Sequence, residues 1–186
     1  KLRYHYKKNM NTTKPILTFL NIPQIEDNEN NENNENKILS NKHIENIVIT
    51  SEFCQLLYNN CKNNLYEIKK AGEFVVCIHI RRGDVCKEGR WKERYTPNEY
   101  YVELIKVIKK YKSNAIIYIF SEKKTDEPFD VFKEMGCKLM IETDIIETFN
   151  YFIMCDIFIM SSSSFSIVPA IIKQNGISIY IENKYF

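Results

Sequence analysis

The chain has 186 residues, a hydrophobic fraction of 44 %, a charged fraction of 27 % and a formal charge of +2 at pH 7. That length suits one domain or one and a fraction, and the near-neutral balance argues against a general nucleic-acid binder, which needs a broad basic face. No stretch reaches the roughly 18 apolar residues of a membrane-spanning helix. The six cysteines, Cys54, Cys61, Cys77, Cys86, Cys137 and Cys155, show no CxxC or Cys/His spacing of a metal site. Their even number admits disulfides, but Cys77, Cys137 and Cys155 sit in or beside apolar runs, where free cysteine is a common small core residue. The chain opens at Lys1 with neither an initiator methionine nor an apolar leader, which is compatible with a trimmed product. Asn11-Thr12-Thr13 is a glycosylation sequon, meaningful only in a secretory lumen. Secretory lumen and cytoplasm both stay open.

Residues 1–14 are basic and polar, and Pro15 to Ile22 reads as a short strand or an ordered arm. Glu26 to Lys37 is an Asn/Glu repeat without an aromatic residue; it predicts disorder, as a surface insertion or a linker. Ile44, Ile47, Val48 and Ile49 suit a strand. Phe53, Leu56, Leu57 and Cys61 then recur at three- and four-residue steps, as on one face of a helix that ends within Asn59–Asn64.

Phe74 to Ile80 is nearly continuous apolar sequence, the pattern of a strand buried on both faces of a parallel sheet. It breaks into Arg81-Arg82-Gly83-Asp84, with His79 just inside the edge. Two guanidinium groups at a strand end suit a polyanion such as a diphosphate; the alternative is a solvated loop in which they pair with Asp84 and neighbouring acids. A long charged loop with Trp91, Arg90 and Arg94 follows, and long loops often carry function. Thr96-Pro97-Asn98-Glu99 predicts a helix start with Thr96 as cap, Pro97 in the first turn and Glu99 closing a capping box. Tyr101, Leu104, Ile105 and Ile108 mark its apolar face.

Next come a strand over Ala115–Phe120, a polar loop over Ser121–Glu127, a short helix over Pro128–Met135 stopped by Gly136, and a strand over Lys138–Ile141. A helix over Asp144–Met154 turns Ile145, Phe149, Phe152 and Ile153 inward. A strand over Asp156–Met160, four consecutive serines, a helix from Phe165 to Lys173 and a strand over Ile177–Ile181 complete the chain. Strand and helix alternate with short connections, so the class is α/β with a Rossmann-like, largely parallel sheet. Residues 1–73 form a partial N-terminal region with the low-complexity insertion at 26–37, and 74–186 form the α/β domain.

In such a sheet three strand ends face one crevice: His79–Asp84 with its cations, Ser121–Glu122 with a hydroxyl and a carboxylate, and Ser161–Ser164 at a helix start. Serine hydroxyls and free amides there suit a phosphate, or form a capped, solvated turn. No Gly-rich dinucleotide fingerprint, P-loop, GxSxG or HExxH is present. Arg82-Gly83-Asp84 spells an adhesion tripeptide, but it follows a core strand.

His79-Ile80-Arg81-Arg82-Gly83-Asp84 resembles the HxRRGD motif of α1,2-fucosyltransferases and, more distantly, the HxR motif of α1,6- and protein O-fucosyltransferases. The apolar strand before Ser163-Ser164-Phe165-Ser166 resembles the family's later SSFS segment. Glu147 resembles the acidic position on the preceding helix, and Phe120-Ser121-Glu122 the intervening strand end. The resemblance spans roughly Phe74 to Tyr180. It implies the C-terminal nucleotide-binding half of a GT-B glycosyltransferase that inverts the anomeric carbon and transfers fucose from GDP-fucose to a glycan or protein, without a metal. Under that resemblance Arg81 holds the β-phosphate and stabilises leaving GDP. Arg82 supports it or fixes the loop, and His79 orients the loop or touches the nucleotide. Ser163, Ser164 and Phe165 line the diphosphate and sugar, and Ser121 and Glu122 the ribose or base. Asp84 is the candidate acceptor base, with a structural ion pair as its other reading. Ile167-Val168-Pro169-Ala170 replaces the tryptophan-rich continuation of the α1,2 enzymes, and residues 1–73 are short for an acceptor domain. A non-catalytic or fragmentary nucleotide-sugar or glycan-binding module is therefore the alternative. Any membrane association would need a segment outside this sequence.

Overall fold

A computed structural model describes residues 51–180. The readings made for Asn11–Thr13, Pro15–Ile22, Glu26–Lys37, Ile44–Ile49 and Ile181 lie outside the described residues. The chain divides into two units, Lys1–Asn64 and Leu65–Phe186. The described part of the first is helix α1 (Ser51–Cys61), followed by a 3-10 turn over Lys62–Asn64. Gln55 donates to Asn59 Oδ1 one turn on, at 3.2 Å.

The second unit is a five-stranded sheet with helices in its crossovers. In chain order it runs β1 (Val75–His79), α2 (Asn98–Tyr111), β2 (Ile116–Ser121), α3 (Asp130–Glu134), β3 (Lys138–Ile141), α4 (Ile145–Met154), β4 (Ile157–Ile159), α5 (Ser164–Ile172) and β5 (Ile177–Ile179). The strand order is β3-β2-β1-β4-β5, and every pair is parallel. β1 is central: Val75–His79 align with Ile116–Phe120 on one side, and Val76–Ile78 with Ile157–Ile159 on the other. All five residues of β1 are buried, as the unbroken apolar run requires.

Strand side chains alternate between faces, and two cores follow. Val76, Ile78, Ile80, Ile117 and Ile119 meet Tyr101, Ile105 and Phe132 from α2 and α3. Val75, Cys77, Tyr118, Phe120 and Phe158 meet Phe152 of α4 and, more shallowly, Phe165 of α5. Phe152 stacks on Phe158 with centroids 4.3 Å apart. All six cysteines are free thiols, and burial raises the Cys77 thiol well above its usual range.

Helix ends differ locally from expectation. Asp144 caps α4 by accepting from the amides of Ile146 (2.8 Å) and Glu147 (3.2 Å). The capping box expected at α2 does not form: Pro97 occupies the cap position and has no side chain to contribute. Glu127, from the loop before α3, accepts instead from the Asn98 amide at 2.7 Å. Gly176 has φ 84°, and a Cβ there would strike the backbone carbonyl of Asp156. Only glycine lets the chain enter β5 at this point.

Candidate functional site

β2, β1 and β4 are neighbours, so their carboxyl ends open onto one edge of the sheet. From β1 the chain steps outward to β2 and β3, then returns to β4 on β1's other side. The strand order therefore reverses between β1 and β4, where open α/β sheets place their ligands.

His79, the last residue of β1, bridges that reversal. It is 6 % exposed, and its Nδ1 lies 2.6 Å from Ser166 Oγ in α5 and 2.9 Å from Ser161 Oγ after β4. Phe152 and Phe165 pack their rings against it. Burial, reinforced by the charge of Arg81, pulls the imidazole from 6.5 down to about 3. It is neutral at physiological pH and acts as an ordering group between β1 and α5, not as a charge.

Ser163 caps α5: its hydroxyl accepts from the Phe165 amide at 3.3 Å, and its carbonyl from the Ser166 amide at 2.9 Å. Ser164 is exposed on the first turn. Ser162 is 2 % exposed, and its Oγ has no hydrogen-bond partner. A helix start with exposed and unsatisfied hydroxyls beside the strand reversal is favourable ground for an anion.

Ser121 ends β2 and donates to the Ile80 carbonyl at 2.7 Å, tying the β2 end to the β1 end. Arg81 then leaves the sheet. Its two terminal nitrogens donate to different carboxylates, Nη1 to Glu122 and Nη2 to Asp84. Between them Gly83 adopts φ 76°, and a Cβ there would collide with the Glu122 carboxylate. Burial raises the Glu122 carboxyl above its usual range; Asp84 and Glu142 push the same way, and Arg81 opposes them. Glu142, just past β3, holds a left-handed φ of 55° and donates its amide to the Ser121 carbonyl at 3.0 Å. Strained backbone of this kind clusters at functional sites.

The structure therefore brings His79, Arg81, Asp84, Ser121, Glu122, Ser163, Ser164 and Phe165 to neighbouring strand ends. Arg82 does not join them. It continues the alternation of Ile78 and Ile80 toward α2 and is fully buried. Its guanidinium donates to the carbonyls of Arg81 (3.0 Å) and Thr96 (2.9 Å) and to Asn98 Oδ1 (2.7 Å). It sits 4.4 Å over the Tyr95 ring and 3.7 Å from Glu127. Burial opposes ionisation of Glu127, yet bonds from Lys87 and the Asn98 amide hold its carboxyl below the usual range. Arg82 thus fixes the loop. In this conformation it offers nothing to a ligand at the strand ends.

Ser161 and Ser166 around His79, and Glu142 beside Glu122, belong to the same edge. The sequence places Ser161 in the serine run at the crevice and Ser166 in the SSFS segment without giving either a partner, and it does not single out Glu142. Only the three-residue step from Ser163 to Ser166 at a helix start signals that both serve one end. A groove of about 460 Å³ lined by Val102, Pro128 and Val131 lies elsewhere, along α2 and α3. Among the described residues no group of three or more His, Cys, Asp or Glu could hold a metal ion, and no helix could cross a membrane.

A parallel sheet in the order 3-2-1-4-5, with polar groups gathered at the carboxyl ends of its strands, defines a doubly wound, Rossmann-like α/β domain. The chain belongs to glycosyl transferase family 11, whose family model matches residues 49–186. Among solved structures it is similar to POFUT1 in complex with GDP, with 12 % identity and a TM-score of 0.41 over 70 % of this chain and 48 % of that one. It is likewise similar to POFUT1 in complex with GDP-fucose, with 11 % identity and a TM-score of 0.38 over 70 % of this chain and 46 % of that one. The chain spans about half the length of those proteins. Among curated proteins no match was found.

Proposed function

We propose that this chain is the donor-binding half of an inverting glycosyltransferase that takes fucose from GDP-fucose to a glycan or protein acceptor. The observation that carries the reading is the position of Arg81, the arginine of HxR. It follows the end of β1, one of the two strands between which the order reverses, and its side chain turns to Glu122 at the β2 end, while His79, two residues earlier, ties β1 to the serine-rich start of α5. The diphosphate would lie between Arg81 and the first turn of α5, with Ser163, Ser164 and Phe165 along it and Ser121 and Glu122 toward the nucleoside. The acceptor hydroxyl attacks the anomeric carbon from the face opposite the diphosphate. The C–O bond to phosphate breaks with its electron pair leaving on GDP. Arg81 and the α5 amides stabilise the charge that develops there. Asp84 is the candidate acceptor base, freed for that role when Arg81 turns to the phosphate.

Calorimetric titration with GDP, GMP and UDP, in chelator, tests the reading. GDP is expected to bind best. Arg81→Lys keeps the charge and loses the planar fork, so GDP should bind about ten- to a hundredfold more weakly, the worth of a charge-assisted contact. Equal or absent binding of all three nucleotides, or an Arg81→Lys variant that binds like the parent, overturns it. The second reading, a non-catalytic nucleotide-sugar module, is favoured by the carboxylates of Glu122 and Asp84 that already occupy Arg81. GDP binding with no turnover of GDP-fucose would select it.

A further inference from the structure

Arg81, the cation assigned to the donor phosphate, is already occupied by carboxylates of its own chain. One terminal nitrogen holds Glu122 and the other holds Asp84, so both arms of the fork that would grip a phosphate are taken. The two carboxylates approach from different elements: Asp84 from the loop after β1, Glu122 from the end of β2. Glu122 lies directly against Gly83, whose missing side chain makes room for it. Glu142, from the end of β3, adds a further negative charge beside Glu122. Arg81 is thus held by two acids, with a third charge beside Glu122, and a diphosphate brought to it meets their repulsion as well as its attraction. All of these groups are partly open to solvent, with side chains 25 % (Arg81), 33 % (Asp84) and 45 % (Glu122) exposed. A soluble anion can reach and exchange with them.

We infer that Glu122, with Asp84, is an internal competitor for Arg81: the carboxylates hold the guanidinium closed in the free protein, the donor diphosphate displaces them, and their grip sets donor affinity. The inference rests on the proposed donor site and assigns Glu122 to the cation instead of the ribose. The exchange is of ion-pair partners, with no covalent step. Protonation of Glu122 opens the latch. Its carboxyl stands above the usual range because of burial and the charges of Asp84 and Glu142, against the pull of Arg81. Donor affinity should therefore respond to mild acid through Glu122 in particular.

The test is calorimetric binding of GDP, with inorganic pyrophosphate as a second probe, to the parent, Glu122→Gln, Asp84→Asn and Glu122→Asp. Thermal melting confirms that each is folded. Removing one carboxylate charge should tighten binding of both probes about two- to fivefold, the range of a partly exposed ion pair. Glu122→Asp, which keeps the charge on a shorter arm, should fall between Gln and the parent. The advantage of Glu122→Gln over the parent should shrink as pH falls toward the range where Glu122 takes up its proton, because the parent carboxyl then neutralises itself. A parent that binds neither probe while Glu122→Gln binds both also supports the latch. If the parent binds GDP and Glu122→Gln binds equally or more weakly at every pH, the latch is wrong and the donor site stands. If no variant binds either probe, the donor site and the latch fall together.

Discussion

The buried histidine makes the most demanding prediction. His79 is neutral in the fold because burial depresses it to about 3, against 6.5 for an unconstrained imidazole. Between those values the unfolded chain holds a proton that the folded chain does not. Acid therefore favours unfolding: the contribution of His79 to stability is complete above pH 6.5 and is lost as pH falls toward 3. One proton of difference corresponds to about 1.4 kcal/mol per pH unit. From pH 7.5 to 4.5 the linked loss comes to about 2–3 kcal/mol, a large share of the stability of a domain this size. Glu127 and Asp156, depressed from 4.5 and 3.8, act in the same direction, but only near and below those values. Glu122, raised from 4.5, acts in the opposite direction. The window above pH 4.5 thus isolates the histidine from the depressed acids.

The assay is urea denaturation of the parent and of His79→Gln at half-unit steps from pH 7.5 to 4.5. Glutamine keeps a donor and an acceptor for Ser161 and Ser166 but has no proton to gain. It should cost about 1–3 kcal/mol at pH 7.5, where the ring contacts to Phe152 and Phe165 are lost and the hydroxyl bonds are remade in poorer geometry. That gap should close by about 2–3 kcal/mol on reaching pH 4.5, because only the parent is charged for protonation. A gap that stays constant with pH would show that His79 titrates alike in the folded and unfolded chain. The argument for a dry, neutral bridge between β1 and α5 would then be wrong.

Arg82→Met fills a similar volume but strands the Thr96 and Arg81 carbonyls, Asn98 Oδ1 and Glu127. It should lower stability by about 3–5 kcal/mol in urea titration, and a cost under about 1 kcal/mol would remove Arg82 from its anchoring role. Gly83→Ala places a side chain at φ 76° and into the Glu122 carboxylate. It should cost about 1–2 kcal/mol from backbone conformation alone. Glu122→Gln should not relieve that part, so a double variant that recovers full thermal stability would contradict a backbone origin.

The parallel sheet is legible because buried strands are written as short apolar runs, and Val75–Ile80, Ile116–Phe120 and Phe158–Met160 are such runs. The helices between them announce their inner faces by period: Tyr101 and Ile105 of α2 are buried as their spacing requires. What the sequence conceals is contact at long range. His79 finds Ser161 and Ser166 across 82 and 87 residues, and no local pattern names them. The start of α2 reads as a capping box, yet the box requires Thr96 at the cap. Pro97 takes that position, and the orphan amide of Asn98 goes to Glu127, 29 residues away.

The paired arginines show where composition stops and geometry begins. As residue types Arg81 and Arg82 are equivalent, and both suit a phosphate. The two-residue period of the strand divides them, sending Arg82 under Tyr95 among the carbonyls of its own loop and Arg81 to the open edge. Each role depends on the other. Arg82 holds the Arg81 carbonyl at 3.0 Å and the Thr96 carbonyl at 2.9 Å, pinning the loop from both ends. Arg81 then points from a fixed backbone, and a guanidinium held this way loses less freedom on meeting a ligand than one on a loose loop. Gly83 completes the division, since only glycine both accepts the turn and clears the carboxylate that Arg81 grips. The four residues Arg81-Arg82-Gly83-Asp84 therefore form one unit: a reaching cation, an anchor, a turn and an acid that holds the cation.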